Sequence, residues 1–203
     1  MIPKAVVMRL ALGTLIGMPL VAILVDRYFE EVDLATQIIG YQAWYIQIGL
    51  GIALGLVAGF SARWLIQRPF MQVVNRKYSN LLGQFNLTWS EVVFISMCAG
   101  VGEELLFRGA IQPFIGVVLT SIVFVAIHGY LNPKDWRMSV YGIMMTGFIA
   151  AIGFAADWAG LIPAMIAHTL IDVILLHNLQ TGHQEAVPEE SITPFSEHHE
   201  QEE

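Results

Sequence analysis

Long apolar runs separated by short polar segments dominate the chain. Six runs have about the length that an α-helix needs to cross a bilayer, roughly 17 to 25 residues. They cover residues 5–25, 43–66, 90–112, 115–131, 138–156 and 161–179. The pattern predicts an all-α fold, a polytopic transmembrane helical bundle with about six spanning helices. Several runs are close to the lower length limit, so we expect some of them to tilt or to insert only in part.

One stretch between the second and third runs has a different pattern. Residues 67–90 place Arg68, Arg76 and Lys77 among large apolar side chains. A helix with a basic face and an apolar face lies in the membrane interface rather than across the bilayer. This stretch is therefore predicted to be an interfacial amphipathic segment, and Thr88 is a residue type that caps the helix that follows.

The distribution of charge divides the chain into three parts. Residues 1–89 are predicted to form N-terminal membrane helices and the basic interfacial segment, and residues 90–180 a helical core. Residues 181–203 contain seven glutamates and no lysine or arginine, so this acidic tail carries the whole net charge of −7. Few large apolar residues occur in the tail, which predicts disorder. Charged residues make up 13% and hydrophobic residues 56% of the chain, which favours a membrane protein over a soluble one.

The placement of lysine and arginine predicts the orientation in the membrane. With six spans, one side of the bilayer receives eight basic residues and the other side receives Arg27 alone. Cytoplasmic segments carry the excess of basic residues, so both termini are predicted to be cytoplasmic, in a multi-pass protein of a bacterial inner or plasma membrane. The absence of a basic surface argues against nucleic acid as a partner. The eight residues are Lys4, Arg9, Arg63, Arg68, Arg76, Lys77, Lys134 and Arg137.

Three glycines in the second run are spaced four residues apart. Gly51, Gly55 and Gly59 fall on one face of a helix, where small residues let a second helix approach closely. Packing within the bundle is the favoured interpretation. The alternative is a seam between two copies of the chain, which would make the protein an oligomer.

The third run carries three ionisable residues in an otherwise apolar segment. Glu104 and Arg108 are four residues apart, with the glutamate on the N-terminal side, which is the favourable arrangement for an ion pair on one helix face. Glu103 is turned by about 100° from Glu104 and is left outside that pair. Since charged groups in a bilayer are costly and functional by default, Glu103 is a candidate general base. The alternative is a polar cluster that only holds helices together.

Two later runs add imidazoles. His128 follows near the end of the fourth run, a position that on its own is typical of an interfacial residue. His168 and Asp172 lie four apart on the sixth, where the carboxylate can orient the ring. Together these groups could activate water and stabilise an oxyanion, the chemistry of hydrolysis.

Other hydrolytic mechanisms are poorly represented in the sequence. No GxSxG motif is present, and the single cysteine, Cys98, has no neighbouring base and excludes an intrachain disulfide. The zinc motif HExxH is also absent. A zinc site formed by Glu103, His128 and His168 stays open as an alternative.

These motifs resemble a known family. Glu103-Glu104-x-x-x-Arg108, Phe124-x-x-x-His128 and His168-x-x-x-Asp172 are similar, in the same order, to the signature motifs of the CPBP family. This is the family of CAAX prenyl endopeptidases and of bacteriocin-processing, self-immunity and abortive-infection-like proteins. The resemblance covers about residues 90–178, so it makes the predicted core of residues 90–180 CPBP-like.

The resemblance implies an intramembrane endopeptidase that hydrolyses peptide bonds near the C-terminus of membrane-associated peptide or protein substrates. It assigns water activation to Glu103 and His128 and the oxyanion site to His168 and Asp172. Glu104 would support the site together with Arg108. It also implies a mechanism without a metal or other cofactor.

Two features depart from the family pattern. Asp172 stands where some members have asparagine, and since an ionised carboxylate accepts but does not donate hydrogen bonds, we expect it to hold His168. About six spans are fewer than in larger members, so we expect a more open cavity. Two alternatives are a non-enzymatic membrane immunity or regulatory protein and a zinc-dependent version of the same peptidase.

Overall fold

The computed structural model describes residues 3–29 and 33–186, with side chains up to residue 181. The regular secondary structure of this part of the chain is entirely helical, and these residues contain no strand. The predicted all-α class is confirmed. In chain order the helices are α1 (Lys4–Tyr28), α2 (Leu34–Ile39), α3 (Trp44–Ile66), α4 (Gln72–Gly83), α5 (Trp89–Glu104), a π-helical segment (Leu105–Ile111), α6 (Gln112–Ile127), α7 (Trp136–Ala159) and α8 (Leu161–Ala186).

Within the described residues, five helical segments are long and apolar enough to cross a membrane, one fewer than predicted. The predicted third and fourth spans form one continuous segment, Trp89–Ile127. Its path reverses at Gly116, whose φ of 75° and ψ of 167° lie in a region that essentially only glycine adopts. The arm after Gly116 returns alongside the preceding segment, because the rings of Phe107 and Phe124 meet at 4.9 Å. That arm, residues 117–127, is too short to cross a bilayer alone.

The segments outside the spans differ in detail from the sequence pattern. The predicted interfacial segment contains a 3₁₀ turn, Pro69–Met71, and helix α4. Thr88 caps α5, since its side chain accepts a hydrogen bond from the Glu91 N–H while the Glu91 carboxylate accepts one from the Thr88 N–H. Helix α2 was not predicted. Helix α8 continues to Ala186, past the start of the predicted acidic tail at residue 181, and the rest of the tail lies outside the described residues.

The glycine face of α3 packs against α8. A Cβ atom at Gly55 would lie 2.9 Å from both Cα and the carbonyl oxygen of Ala167, and Gly51 and Gly59 also face α8. Only glycine leaves room for backbones this close. The surface that the sequence offered for a second copy of the chain is therefore occupied by the chain's own α8.

Helix α8 holds the centre of the bundle. Its residues Ala164, Ala167 and Ile171 are buried, while α1 buries only Ala11 and Ala22. Helices α3, α5 and α7 all pack against α8, so a side chain on its inner face can meet groups from several helices. This arrangement brings the motifs of α5, α6 and α8 together.

Substitution of Gly55 by alanine is expected to destabilise the protein by about 1–3 kcal/mol, because the new methyl group overpacks the contact with the α8 backbone. The measurement is thermal unfolding of the detergent-solubilised protein. Gly49→Ala is the matched control on the same helix, since no atom lies within 4 Å of its Cβ position. There the higher helix propensity of alanine should leave stability equal or slightly raised. Equal stability of the two variants would contradict the proposed packing.

Candidate active site

The most deeply buried charged group is the Glu104 carboxylate at the end of α5. Its Oε2 lies 3.1 Å from Nε of Arg108, and neither side chain is exposed. Its Oε1 accepts a hydrogen bond of 2.8 Å from Nδ1 of His168 on α8. A buried charge without a partner costs several kcal/mol. Glu104 therefore depends on both partners, and it links α5 to α8.

This geometry differs from the expectation in one respect. The Glu104–Arg108 pair is where the helix spacing placed it, but the bond from His168 to Glu104 was not predicted. The Oδ2 atom of Asp172, expected to hold His168, is 3.6 Å from Nε2, which is longer than a hydrogen bond. Glu104 is thus the nearer partner of the imidazole. Sequence spacing predicts contacts within a helix, but it does not predict how α5 and α8 are aligned with each other.

Glu103 is directed toward a different imidazole. Its Oε2 lies 3.4 Å from Nε2 of His128. The other ring nitrogen, Nδ1, is 2.7 Å from the carbonyl oxygen of Phe124. Because a carbonyl only accepts hydrogen bonds, Nδ1 carries a proton, and Nε2 faces the carboxylate. At 3.4 Å the two groups face each other beyond the usual hydrogen-bond distance. Unlike Glu104, this pair is accessible, with 30% of the His128 side chain exposed.

The ring of Phe124 separates the two pairs. It is 4.5 Å from the ring of His128 and 5.5 Å from that of His168. The Cζ atom of Arg108 lies 4.7 Å from its centre. The two terminal guanidinium nitrogens have no hydrogen-bond partner within the described part of the chain, so the aromatic face supplies the attraction there. Phe124 is therefore part of the site as well as part of a motif.

A π-helical segment follows the two glutamates immediately. Leu105–Ile111 has the wider turn of a π-helix, and it carries Arg108. Such segments occur frequently at functional sites. Here the segment directs the guanidinium inward, where Arg108 is 1% exposed. Nothing in the residue types of this stretch predicted a π-helix.

Four of the predicted site residues line one cavity of about 350 Å³. This volume is in the range of small-molecule and cofactor sites. Glu103, His128, His168 and Asp172 form its polar part. Apolar side chains from α4, α7 and α8 form most of the remaining wall, and they include Val74, Leu81, Leu82, Met138, Met145, Ile149, Ile171, Leu175, Leu176 and Leu179.

Cys98 and a further histidine, His177, do not line the cavity. The ring of His177 packs edge-on against Trp89 at 5.3 Å, and Cys98 is buried in α5. The suggested zinc ligands, Glu103, His128 and His168, do not form a metal-binding group. Among the described residues, no three histidine, cysteine, aspartate or glutamate side chains are placed to hold a metal ion.

The apolar helices make this an integral membrane protein. Its two carboxylate–imidazole pairs lie at one cavity and form a candidate hydrolytic site. Residues 85–174 match the sequence model of the Rce1-like family, described as type II CAAX prenyl endopeptidase Rce1-like. This segment of the chain is similar to the Rce1-like family, in agreement with the resemblance inferred from the three motifs. The matched family is one of membrane proteases.

One curated relative is similar over the same part of the chain. The uncharacterized protein YpbD of Bacillus subtilis (strain 168) is 32% identical over 94 residues, which are 45% of this chain and 47% of the relative. The match thus spans about half the length of each protein. No solved structure matches the chain.

Replacement of Arg108 by methionine is expected to destabilise the protein by about 3–5 kcal/mol, because Glu104 loses its guanidinium partner in a fully buried position. The melting temperature of the purified protein in detergent measures the effect. Arg63→Met, at an exposed position on α3, is the control and should change stability by less than about 0.5 kcal/mol. The double variant Glu104→Gln with Arg108→Met should be more stable than Arg108→Met alone. An unchanged melting temperature in Arg108→Met would show that the Glu104–Arg108 pair does not stabilise the site.

Proposed function

We propose that the protein is an intramembrane endopeptidase that hydrolyses peptide bonds near the C-terminus of membrane-associated substrates. The observation that carries the proposal is the partly exposed Glu103–His128 pair in the polar part of a mostly apolar cavity. The similarity of residues 85–174 to a family of prenyl endopeptidases supports a peptidase over other hydrolases.

Glu103 and His128 activate the attacking water. The buried Oε2 of Glu103 has no hydrogen-bond partner among the described residues, and it lies opposite Nε2 of His128. A water molecule that binds both groups transfers a proton to the pair as its oxygen attacks the scissile carbonyl carbon. The C–N bond then breaks, and the pair returns the proton to the leaving amine.

His168 stabilises the charge that develops on the carbonyl oxygen. Its Nδ1–H donates to Glu104, and its ring lines the cavity with Nε2 on the side of Asp172. A ring placed between Glu104 and Asp172 is favoured as the imidazolium, so Nε2–H is available to the oxyanion. Asp172 supports this positive charge electrostatically at 3.6 Å, while Glu104 is the group that holds the ring.

The apolar cavity wall and the basic residues suggest how substrates arrive. Leucine, methionine and isoleucine side chains on three helices form most of the wall, and they favour an aliphatic or lipid-modified peptide end. The excess of lysine and arginine on one side of the predicted six-span arrangement favours cytoplasmic termini in a bacterial membrane. The name of the matched family indicates a suitable probe, a quenched-fluorescent peptide ending in a farnesylated CAAX sequence.

Glu103→Gln and His128→Ala are each expected to abolish cleavage of this probe by the purified protein while the melting temperature is kept, because each removes one half of the water-activating pair. His177→Ala is the matched control, since this histidine packs against Trp89 outside the cavity wall, and it should retain full activity. Full cleavage by both pair variants would refute the proposal. Comparing the membrane proteomes of cells with wild-type and Glu103→Gln protein would then identify natural substrates by their truncation.

The same variants test the two alternative functions. If biological activity survives Glu103→Gln and no cleavage product is found, the protein acts as a non-enzymatic immunity or regulatory protein. A zinc-dependent peptidase would contain stoichiometric metal and would lose activity with a chelator. Since the three suggested ligands form no metal-binding group, we expect full activity after chelation.

A further inference from the structure

Gly129, shortly after the end of α6, positions the next residue, Tyr130. The N–H of Gly129 donates to the carbonyl of Ala126 at 2.9 Å, and the N–H of Tyr130 donates to the carbonyl of Val125 at 3.3 Å. The φ of Gly129 is +76°. These are the two hydrogen bonds and the left-handed residue of a Schellman motif, which turns the chain back across the helix end. Tyr130 is therefore placed beside His128.

Contacts on both sides fix the ring of Tyr130. It lies 5.8 Å from the His128 ring at an angle of 25° and meets the ring of Tyr141 edge-on at 5.1 Å. Its backbone carbonyl packs so closely on Gly142 of α7 that a Cβ atom there would collide with it. The phenol is thus held between the water-activating pair and α7.

The hydroxyl group of Tyr130 is available to a ligand. Tyr130 lines the cavity together with Glu103, His128 and Asp172. Within the described part of the chain its hydroxyl makes no hydrogen bond, whereas a tyrosine with a largely enclosed ring normally finds a partner. A phenol can donate one hydrogen bond to such a partner.

Resting on the proposed function, we propose that Tyr130 is a catalytic residue that donates its O–H to the oxyanion of the tetrahedral intermediate, beside the Nε2–H of His168. The oxyanion site requires donors, and the ionised carboxylate of Asp172 supplies none. His168 supplies one, because its other N–H is bound to Glu104. The tyrosine keeps its proton throughout, so the step changes hydrogen bonding alone.

The electrostatic surroundings keep this group in its donor form. Burial, followed by the negative charge of Asp172, raises the pKa of the Tyr130 phenol far above its usual range. The phenol is therefore protonated at every pH at which the peptidase would work.

Tyr130→Phe removes the hydroxyl and retains the ring that packs on His128. We expect kcat for the farnesylated CAAX probe to fall about 100-fold or more, the loss typical of one oxyanion donor. KM should stay within about twofold, because an interaction made only in the transition state affects kcat. Tyr45→Phe is the matched control, since Tyr45 is exposed near the N-terminal end of α3 and does not line the cavity, and it should leave both constants unchanged. Size-exclusion chromatography and melting temperature confirm the folded state of each variant.

The outcomes distinguish this assignment from the proposed function. A wild-type protein that does not cleave the probe overturns both. Cleavage by the wild type with an undiminished kcat in Tyr130→Phe overturns the assignment of Tyr130 alone and leaves a packing role. A larger loss of kcat in Tyr141→Phe than in Tyr130→Phe would assign the donor to Tyr141 instead, which also overturns it.

Discussion

The structure depends on the cost of placing charge inside a bilayer. Glu104 is fully buried, and it is tolerated because Arg108 approaches one carboxylate oxygen and His168 binds the other. These contacts join two helices that are far apart in the sequence. Any arrangement of α5 and α8 that separated them would leave an uncompensated ion in a medium of low dielectric constant. The charge that makes the segment costly therefore also specifies how the two helices pack.

Small residues make this packing sterically feasible. Gly55 and its neighbours let α3 reach the back of α8, which frees the opposite side of α8 for the site. Gly116 reverses the chain after the π-helical segment and returns α6 along it. The distance between Glu103 and His128, 3.4 Å across 25 positions of sequence, exists because of that reversal. Glycine conformations thus control the site as directly as the ionisable residues do.

The sequence predicted most of the helices and singled out four residues that line one cavity, and it predicted the contacts between helices only in part. Membrane-spanning helices are made of apolar residues, so the bounds predicted from the apolar runs agree with most of the observed helix bounds within a few residues. Spacing within a helix predicted the Glu104–Arg108 pair. It carried no information on the register between helices, which is why the bond between His168 and Glu104 was missed. The continuous segment Trp89–Ile127 was not predicted, because a glycine between two apolar runs is equally typical of a loop and of a reversal within one helical segment. The position of Tyr130 could have been predicted, since a glycine just after a helix end indicates that the chain turns back there.

The two carboxylate–imidazole pairs differ in access, and this difference divides their chemistry. Three carboxylates, one guanidinium and two imidazoles meet here, so electrical neutrality requires two further protons among them. The more deeply buried pair of Glu104 and His168 is held by Arg108 and by the 2.8 Å bond between the two groups, so its proton stays in one place. The open pair of Glu103 and His128 is exposed enough to receive water and to pass a proton. A base that takes up and releases a proton in each turnover suits the exposed Glu103–His128 pair, and a fixed positive charge suits the buried Glu104–His168 pair. Interchanging the two environments would leave the mobile proton without a route and the oxyanion donor screened by water.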